Sequence, residues 1–359
     1  MLNSWKHVAL AACVAVSMSA CGSDKTASEQ QTQATTETQA ETQPTPATTS
    51  TTLVLYSGRS EHLVEPIIKQ FEKESGIDVQ VKYGNTPELA LTLREEGERG
   101  SADLFWAQDA GALGAVAKAG LFSDLPAGVG GDLPALFRHA GGKWIATSGR
   151  ARTIAYSTER VKAESLPKSV FDLANARYRG KVAWAPANAS FQAFVTAMRK
   201  THGEDTTRTW LEDMKKNGAH SYPNNVAILQ AIARGEADYG LPNHYYLLNF
   251  KKSEAKFNVE QASFAPGDVG NLVNVAGIGI LATAAHKDAA ERFIKFVLSP
   301  AAQQYFASEV SEYPVIDNVM TNERLVPRDQ LLQLAPHVTL DDLDDLDGTL
   351  AMLRSVGLL

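Results

Sequence analysis

From Leu53 onward, short apolar runs alternate with segments in which apolar residues recur every three or four positions. The recurrent spacing places apolar side chains on one face of a helix, whereas the short runs are typical of buried strands. The first part of this pattern predicts strands at 53–56, 78–83 and 102–107 and helices at 62–74, 87–98 and 110–119. Strands and helices that alternate in this way are typical of an α/β fold.

A longer strand-like stretch at 144–156 is interrupted by Ser148-Gly149-Arg150 and leads into a second set of units. That set predicts strands at 182–185, 237–241 and 271–281 and helices at 191–200, 206–217, 226–233, 287–298 and 301–309. Two sets joined by two long strands predict two lobes with a two-strand hinge, whose crossings we place near 150–155 and 275–280. Ligands of open α/β sheets lie at the carboxyl ends of the strands, so a two-lobed version holds its ligand in the cleft. We expect an N-lobe of residues 53–150 and 275–320 and a C-lobe of residues 151–274 and 321–359.

The segment before the folded body has the features of an export signal. Lys6 and His7 precede an apolar stretch over 8–19, which is shorter than the roughly 20 residues that a membrane-spanning helix needs. Met18-Ser19-Ala20-Cys21 resembles a bacterial lipobox, in which the cysteine becomes the lipidated first residue. We therefore expect a lipoprotein signal peptide over 1–20 and a protein of the periplasm or cell surface, anchored to a membrane through lipidated Cys21. Cleavage by an ordinary signal peptidase near Ala20 is the alternative.

Composition narrows the chemistry of the folded body. Residues 22–52 are rich in Thr, Gln, Ala and Glu and almost free of apolar residues, so we expect a disordered tether over 21–52. Cys13 would leave with the signal and Cys21 would carry lipid, which excludes a disulfide or a thiolate metal site in the body. The net charge of −7 and the pI near 5.7 argue against nucleic acid as a partner.

Two adjacent phenols, Tyr245 and Tyr246, follow Asn243 at a predicted helix start. They can offer two hard oxygen ligands to one cation, and a bound cation can ionise a phenol far below its free pKa of about 10. Among common biological metals, the ferric ion gains most from phenolate. Ordinary packing of an aromatic pair is the alternative interpretation.

Four further residues have the positions of anion contacts at predicted helix starts. Asn188 and Ser190 lie between a strand and a helix, where unsatisfied backbone N–H groups and the helix dipole attract anions. Asn225 and Asn243 each stand where a helix begins, and simple capping is the alternative to an anion contact there.

Arginines supply candidate receptors for the same anion. Arg150 and Arg152 lie next to the predicted crossover, and Arg59 follows the first strand. A guanidinium binds carbonate or phosphate in bidentate fashion, whereas a structural ion pair or a solvated side chain is the alternative.

Five motifs, in this order along the chain, resemble the ferric-ion-binding substrate-binding proteins of bacterial iron ABC transporters, sometimes called bacterial transferrins. They are LYSGRSE at 55–61, ADLFWAQD at 102–109, SGRAR at 148–152, PANASFQ at 186–192 and NHYY at 243–246. The resemblance runs from about Leu53 to Leu359. It implies a type II periplasmic-binding-protein fold that closes on ferric iron plus a synergistic anion, carbonate or phosphate. It also implies a monomeric binding protein, not an enzyme, whose partners are an ABC permease and its ATPase.

The resemblance assigns the metal to Tyr245 and Tyr246 and the anion to the positions of Arg150, Asn225 and Asn243. Known members have a His and a Glu where this chain has Ser60 and Gln108, and some have a further Tyr where Phe191 stands. The remaining ligands are therefore open. Gln108, Asp109 or Ser60 could contribute an oxygen, or could serve as capping residues or as partners of the ligands.

Closure of the lobes would need contacts from the first lobe, for which the candidates are Arg59, Ser60, Gln108 and Asp109.

Two alternatives remain open on the residues alone. A binding protein of the same fold could take another small ligand, such as a phosphonate, sulfate, a polyamine or thiamine, and the Tyr pair is the feature that argues against it. A secreted enzyme is disfavoured because the chain has no Gly-x-Ser-x-Gly nucleophile elbow and no His-Glu-x-x-His zinc helix.

Overall fold

Two five-stranded sheets organise residues 52–359, the part of the chain that the structure, a computed structural model, describes. The predicted signal peptide, Cys21 and the tether lie outside these residues, apart from Thr52, where the first strand begins. The α/β prediction is confirmed, and we call the two sheets with their helices lobe 1 and lobe 2. No helix among the described residues combines the length and the apolar character needed to cross a membrane.

The sheet of lobe 1 has the order β2-β1-β3-β10-β4, in which β1 is parallel to β2 and β3 while β10 is antiparallel to β3 and β4. Its strands are β1 (Thr52–Ser57), β2 (Asp78–Tyr83), β3 (Leu104–Ala107), β4 (Ile145–Ala151) and β10 (Val273–Ile280). Its helices are α1 (Glu61–Ser75), α2 (Thr86–Glu96), α3 (Ala110–Lys118), α8 (Lys287–Val297) and α9 (Pro300–Tyr305), the last of which continues as a π-helical turn over Phe306–Val310.

The sheet of lobe 2 has the order β7-β6-β8-β5-β9, with β6, β7 and β8 parallel and β5 antiparallel to β8 and β9. Its strands are β5 (Ile154–Ser157), β6 (Val182–Trp184), β7 (His220–Ser221), β8 (Tyr239–Gly240) and β9 (Val259–Ala262). Its helices are α4 (Ala189–His202), α5 (Glu204–Lys216), α6 (Asn225–Arg234) and α7 (His244–Ser253). Near the C-terminus follow α10 (Arg328–Leu334) and α11 (Leu346–Val356), and α11 packs on α4, α5 and α3.

The chain crosses between the sheets at two places. Arg152 and Thr153 separate β4 from β5, so the stretch predicted at 144–156 is two strands of different sheets. The second crossing lies between β9 and β10 and not within 275–280, because β10 belongs to the sheet of lobe 1 over its whole length. The lobe boundaries themselves stay a prediction.

In both lobes, helices begin at the carboxyl ends of the parallel strands. In lobe 1, α1, α2 and α3 follow the carboxyl ends of β1, β2 and β3, and in lobe 2, α4, α6 and α7 follow those of β6, β7 and β8. Strand ends of a parallel sheet lie at one edge, so the N-termini of these helices gather there. Each terminus brings unpaired backbone N–H groups and the positive end of a helix dipole.

Candidate metal centre

A cleft of about 480 Å³ lies where these helix N-termini meet. Its walls come from both lobes, as the cleft prediction requires. From lobe 1 the lining residues are 58–62, 83–87 and Gln108, and from lobe 2 they are 187–189, Pro223, Asn224, Val226 and Tyr246.

The Tyr pair lies in the first turn of α7, after the N-cap position Asn243 and the first helical residue His244. Tyr246 lines the cleft, whereas Tyr245 is fully buried, and their ring centroids are 4.1 Å apart. The Tyr245 hydroxyl accepts a hydrogen bond of 2.9 Å from Nε2 of Gln108, which joins lobe 2 to lobe 1. Burial, and then the neighbouring Tyr246, raise the pKa of Tyr245 well above its usual value of 10.0. The phenol therefore keeps its proton at neutral pH unless a cation displaces it.

His244 is excluded as a ligand by its own hydrogen bonds. Its Nδ1 accepts from the Ala151 N–H at 3.2 Å and its Nε2 donates to the Ser311 carbonyl at 3.0 Å. Burial lowers the pKa of His244 to about 4, so the ring is neutral at physiological pH.

The four predicted anion-contact residues form one hydrogen-bonded network at the helix starts of lobe 2. Oδ1 of Asn188 accepts from the Ser190 N–H at 3.1 Å and from Ser190 Oγ at 2.6 Å. Nδ2 of Asn225 donates to the same oxygen at 3.4 Å, and its Oδ1 accepts from the Asn243 N–H at 3.2 Å. The side-chain amide nitrogen of Asn243 is buried and has no hydrogen-bond partner within residues 52–359.

The capping interpretation of Asn225 is wrong in its detail. Asn224 is the N-cap of α6, and its side chain accepts from the Ala227 N–H at 2.9 Å. Asn225 is the first helical residue, and its amide is turned toward Asn188 and Asn243 instead. Asn243 has the N-cap position of α7 but makes no side-chain cap.

Arg59 forms a buried ion pair with Glu312. Its Nη1 and Nη2 each donate to Glu312 at 2.8 Å, and both side chains are fully buried. Ser148 Oγ donates to the same carboxylate at 2.6 Å. Burial opposes ionisation of Glu312, but attraction to Arg59 together with the hydrogen bonds from Arg59 and Ser148 lowers the pKa of Glu312. The guanidinium of Arg59 is therefore neutralised within lobe 1.

Arg150 is buried without such a partner. Its Nε, Nη1 and Nη2 atoms have no hydrogen-bond acceptor among the described residues. Burial lowers the pKa of Arg150, while the neighbouring Tyr245, Glu312 and Asp109 act in the opposite direction. A buried charge without hydrogen bonds is costly, so the free donors fit an incoming anion. In contrast, Arg152 donates to the Leu241 carbonyl and lies over the ring of Phe194 at 5.0 Å.

The other candidate positions, Asp109, Ser60 and Phe191, differ in their contacts. Asp109 caps α3 by accepting from the Ala112 N–H at 3.0 Å, while its Oδ2 has no partner within residues 52–359. Burial raises the pKa of Asp109 to about 6, although Arg150 opposes the shift. Ser60 has the N-cap position of α1, makes no side-chain cap and lines the cleft. Phe191 does not replace a ligand in the cleft, because it is buried and packs against Trp184.

Glu312 and Ser148 are residues that the sequence interpretation missed as parts of the centre. Glu312 lies 253 positions from Arg59, so no local spacing connects the two. The sequence feature that could have identified Glu312 is its neighbourhood. It is the single charged residue in Val310-Ser311-Glu312-Tyr313-Pro314-Val315. A lone carboxylate in a run that reads as buried indicates a buried cationic partner.

Two lobes, a cleft between them and a polar site at several helix N-termini define a solute-binding protein of the periplasmic-binding-protein type. The chain belongs to the bacterial extracellular solute-binding protein family, whose model matches residues 100–335. Its members are binding components of transport systems rather than enzymes, as the sequence predicted.

Individual relatives narrow this class. An Fe(3+)-binding periplasmic protein of Serratia marcescens is 32% identical over 278 residues, which cover 77% of this chain and 82% of that protein. Iron uptake protein A2 of Synechocystis is 34% identical over 294 residues, with 79% and 83% of the two chains covered. Iron-bound HitA from Pseudomonas aeruginosa superposes with a TM-score of 0.81 at 31% identity, covering 86% of this chain and 99% of that one. The resemblance to ferric-ion-binding proteins is confirmed.

Proposed function

We propose that this protein is an extracytoplasmic lipoprotein that binds ferric iron in the interlobe cleft and delivers it to an ABC permease. The observation that carries the proposal is the pair Tyr245 and Tyr246, which share the first turn of α7 at the cleft. Relatives named for ferric iron and for a periplasmic location support both the ion and the compartment. The lipid anchor at Cys21 rests on the lipobox-like sequence.

The donor set favours a hard trivalent cation. Within residues 52–359, no group of three or more His, Cys, Asp or Glu side chains is gathered for a metal. Two phenolates are then the main protein ligands, and they select a hard ion over softer ones that prefer thiolate or imidazole. Because burial keeps the pKa of Tyr245 high, iron binding has to release its proton.

A synergistic anion completes the site in this proposal. Two phenolates leave a ferric ion with one uncompensated positive charge and an incomplete oxygen shell, which carbonate or phosphate can supply. The free donors of Arg150 and the network of Asn188, Ser190, Asn225 and Asn243 support an anion beside the metal. Arg59 is not part of this receptor, because Glu312 already neutralises it.

The test is a ferric titration of a Tyr245→Phe/Tyr246→Phe variant by visible absorption, with competition against a chelator for affinity. Ferric phenolate absorbs visible light, so the double variant should lose the band and bind iron at least a thousandfold more weakly. Tyr222→Phe is the matched control, because that phenol donates to Glu236 outside the cleft. Unchanged affinity in the double variant would refute the assignment of the pair.

A further inference from the structure

A C-terminal segment with five aspartates, which we call the strap (residues 340–347), packs against α3 of lobe 1 and α4 of lobe 2. It includes a short helical turn, Leu340–Leu343, and the start of α11. The sequence Leu340-Asp341-Asp342-Leu343-Asp344-Asp345-Leu346-Asp347 repeats with a period of three. In a turn with three residues per turn, residues i and i+3 lie on the same side, so the first and the second aspartates of the repeats form two separate rows.

The aspartates pair alternately with the two lobes. In each Leu-Asp-Asp repeat, the first aspartate pairs with lobe 1 and the second pairs with lobe 2. The lobe 1 pairs are Asp341 with His139 at 3.8 Å, Asp344 with Lys118 at 3.8 Å and Asp347 with Arg94 at 2.9 Å. The lobe 2 pairs are Asp342 with Lys200 at 3.4 Å and Asp345 with Arg199 at 2.8 Å.

The strap also touches α3 of lobe 1 through its backbone. A Cβ at Gly114 would lie 2.9 Å from the Asp344 Cα, and one at Gly111 would lie 2.8 Å from the Leu343 carbonyl oxygen. The two glycines of α3 therefore admit a backbone approach that any larger residue would block.

On the other side, the strap and α11 are tied to α4 of lobe 2. Arg199 donates to the Asp345 carbonyl at 3.2 Å and to Thr349 Oγ1 at 3.0 Å. Thr349 Oγ1 is in turn 2.7 Å from Thr196 Oγ1, and both hydroxyls are buried.

We propose that the strap is an ionic clasp that holds the lobes in the arrangement in which Gln108 reaches Tyr245. The helices it joins, α3 and α4, begin at the cleft with Asp109 and Asn188 as their N-caps, so a change in their mutual position changes the cleft. The clasp sets the equilibrium between closed and open lobes and makes it sensitive to salt, because its pairs are partly exposed. An effect of the clasp on iron affinity rests on the proposed function, but its effect on the position of the lobes does not require iron.

The test compares apo wild type with Asp344→Asn/Asp347→Asn by amide hydrogen exchange and mass spectrometry. Peptides that cover the starts of α3 and α4 should exchange about three- to tenfold faster in the variant, as expected for two lost exposed pairs. Raising sodium chloride from roughly 0.01 M to 1 M shortens the screening length from about 30 Å to 3 Å. Wild type should then approach the variant, which itself should respond less because two pairs of the clasp are already absent.

Two further variants make the result specific. Asp124→Asn/Glu291→Gln removes the same charge from pairs that lie within lobe 1, those with Lys143 and Lys295, and should exchange like wild type. Arg94→Asp should act like the strap variant, and adding Asp347→Arg should restore slow exchange by reversing the pair. The comparison of Arg94→Asp with Arg94→Asp/Asp347→Arg also tests the clasp if Asp344→Asn/Asp347→Asn does not fold.

Exchange at the cleft that is the same in all variants would overturn the clasp, and so would acceleration spread evenly over both sheets. Neither result would bear on iron binding, which the Tyr245 and Tyr246 variants test separately. Conversely, a chain that bound no iron could still show the predicted exchange.

Discussion

Two buried arginines near the cleft have opposite surroundings, and this difference favours Arg150 over Arg59 as the receptor of the proposed anion. Arg59 has Glu312 as a bidentate partner, whereas Arg150 has three nitrogens without an acceptor in the described chain. The sequence could nominate both residues but could not separate them, because the partner of Arg59 comes from a distant segment. The Tyr pair and Asn188 were predictable, since adjacency and helix starts are local features of the sequence.

The two arginines should respond oppositely to removal of their charge. In anion-free buffer, Arg150→Met should raise the free energy of unfolding of the apo protein by about 1–3 kcal/mol, because an unpaired buried charge is lost. Arg59→Met, the matched control, should lower it by about 3–5 kcal/mol, because Glu312 is left unpaired. Urea unfolding measures both changes. Loss of stability in both variants would mean that Arg150 is satisfied without an anion.

The buried carboxyl of Asp109 predicts a pH dependence. Its folded pKa of about 6 lies above the ordinary value of 3.8 for this carboxyl, so the folded state binds more protons than the unfolded state between these values. Apo stability should therefore fall as the pH rises from about 4 to 6, by up to about 2–3 kcal/mol from this group. Asp109→Asn keeps an oxygen to cap α3 and should remove that slope in urea unfolding at several pH values. Parallel curves for the two proteins would contradict the shift.

At the scale of elements, local pattern predicted helices well and strand partners poorly. Helices such as α1 and α8 carry one apolar face and end close to their predicted limits. The stretch at 144–156 reads as one strand because nothing local marks the change of sheet at Arg152. The local pattern also predicted neither β7 nor β9 among the strands, and neither α10 nor α11 among the helices. In α11, Gly348 and Thr349 weaken the helical signal, although Thr349 is buried against Thr196.

The close contact of α3 with the strap can be tested by a substitution in α3. Gly114→Ala should destabilise the protein by about 1–3 kcal/mol, because its Cβ would lie 2.9 Å from the Asp344 Cα and would force the packed backbones apart. In a free helix, the same change would favour helix formation by about 1 kcal/mol. Thermal unfolding should show the loss, and Gly131→Ala, with open space around its Cβ, should show none. An equal effect at both positions would argue against the close approach.

In the whole molecule, the four first-lobe candidates for closure make fewer contacts with lobe 2 than the sequence suggested. Of its four candidates in the first lobe, Arg59 pairs with Glu312 and Asp109 caps α3, and Ser60 lines the cleft without a cap. Gln108 is the candidate that hydrogen-bonds to lobe 2 within the described chain, at the hydroxyl of Tyr245. The sequence could not rank these residues, because lobe-to-lobe contacts depend on the three-dimensional arrangement of distant segments.

Gln108→Leu should therefore weaken both closure and iron binding. A hydrogen bond to a phenolate contributes about 1.5–3 kcal/mol, so ferric affinity should fall by roughly ten- to a hundredfold while the visible band persists. Competition with a chelator measures the affinity. The control is Gln70→Leu, which removes an exposed hydrogen bond to Glu74 in α1 and should leave affinity unchanged. Equal affinity in the two variants would show that Gln108 does not support the closed form.

Anomalous X-ray scattering at the iron edge from iron-loaded crystals would show directly whether one ferric ion lies between the two phenols. We expect a single strong peak at coordination distance from the hydroxyl oxygens of both Tyr245 and Tyr246, with an anion between the metal and Arg150. A peak elsewhere, or one that contacts neither phenol, would mean that the Tyr pair does not hold the metal.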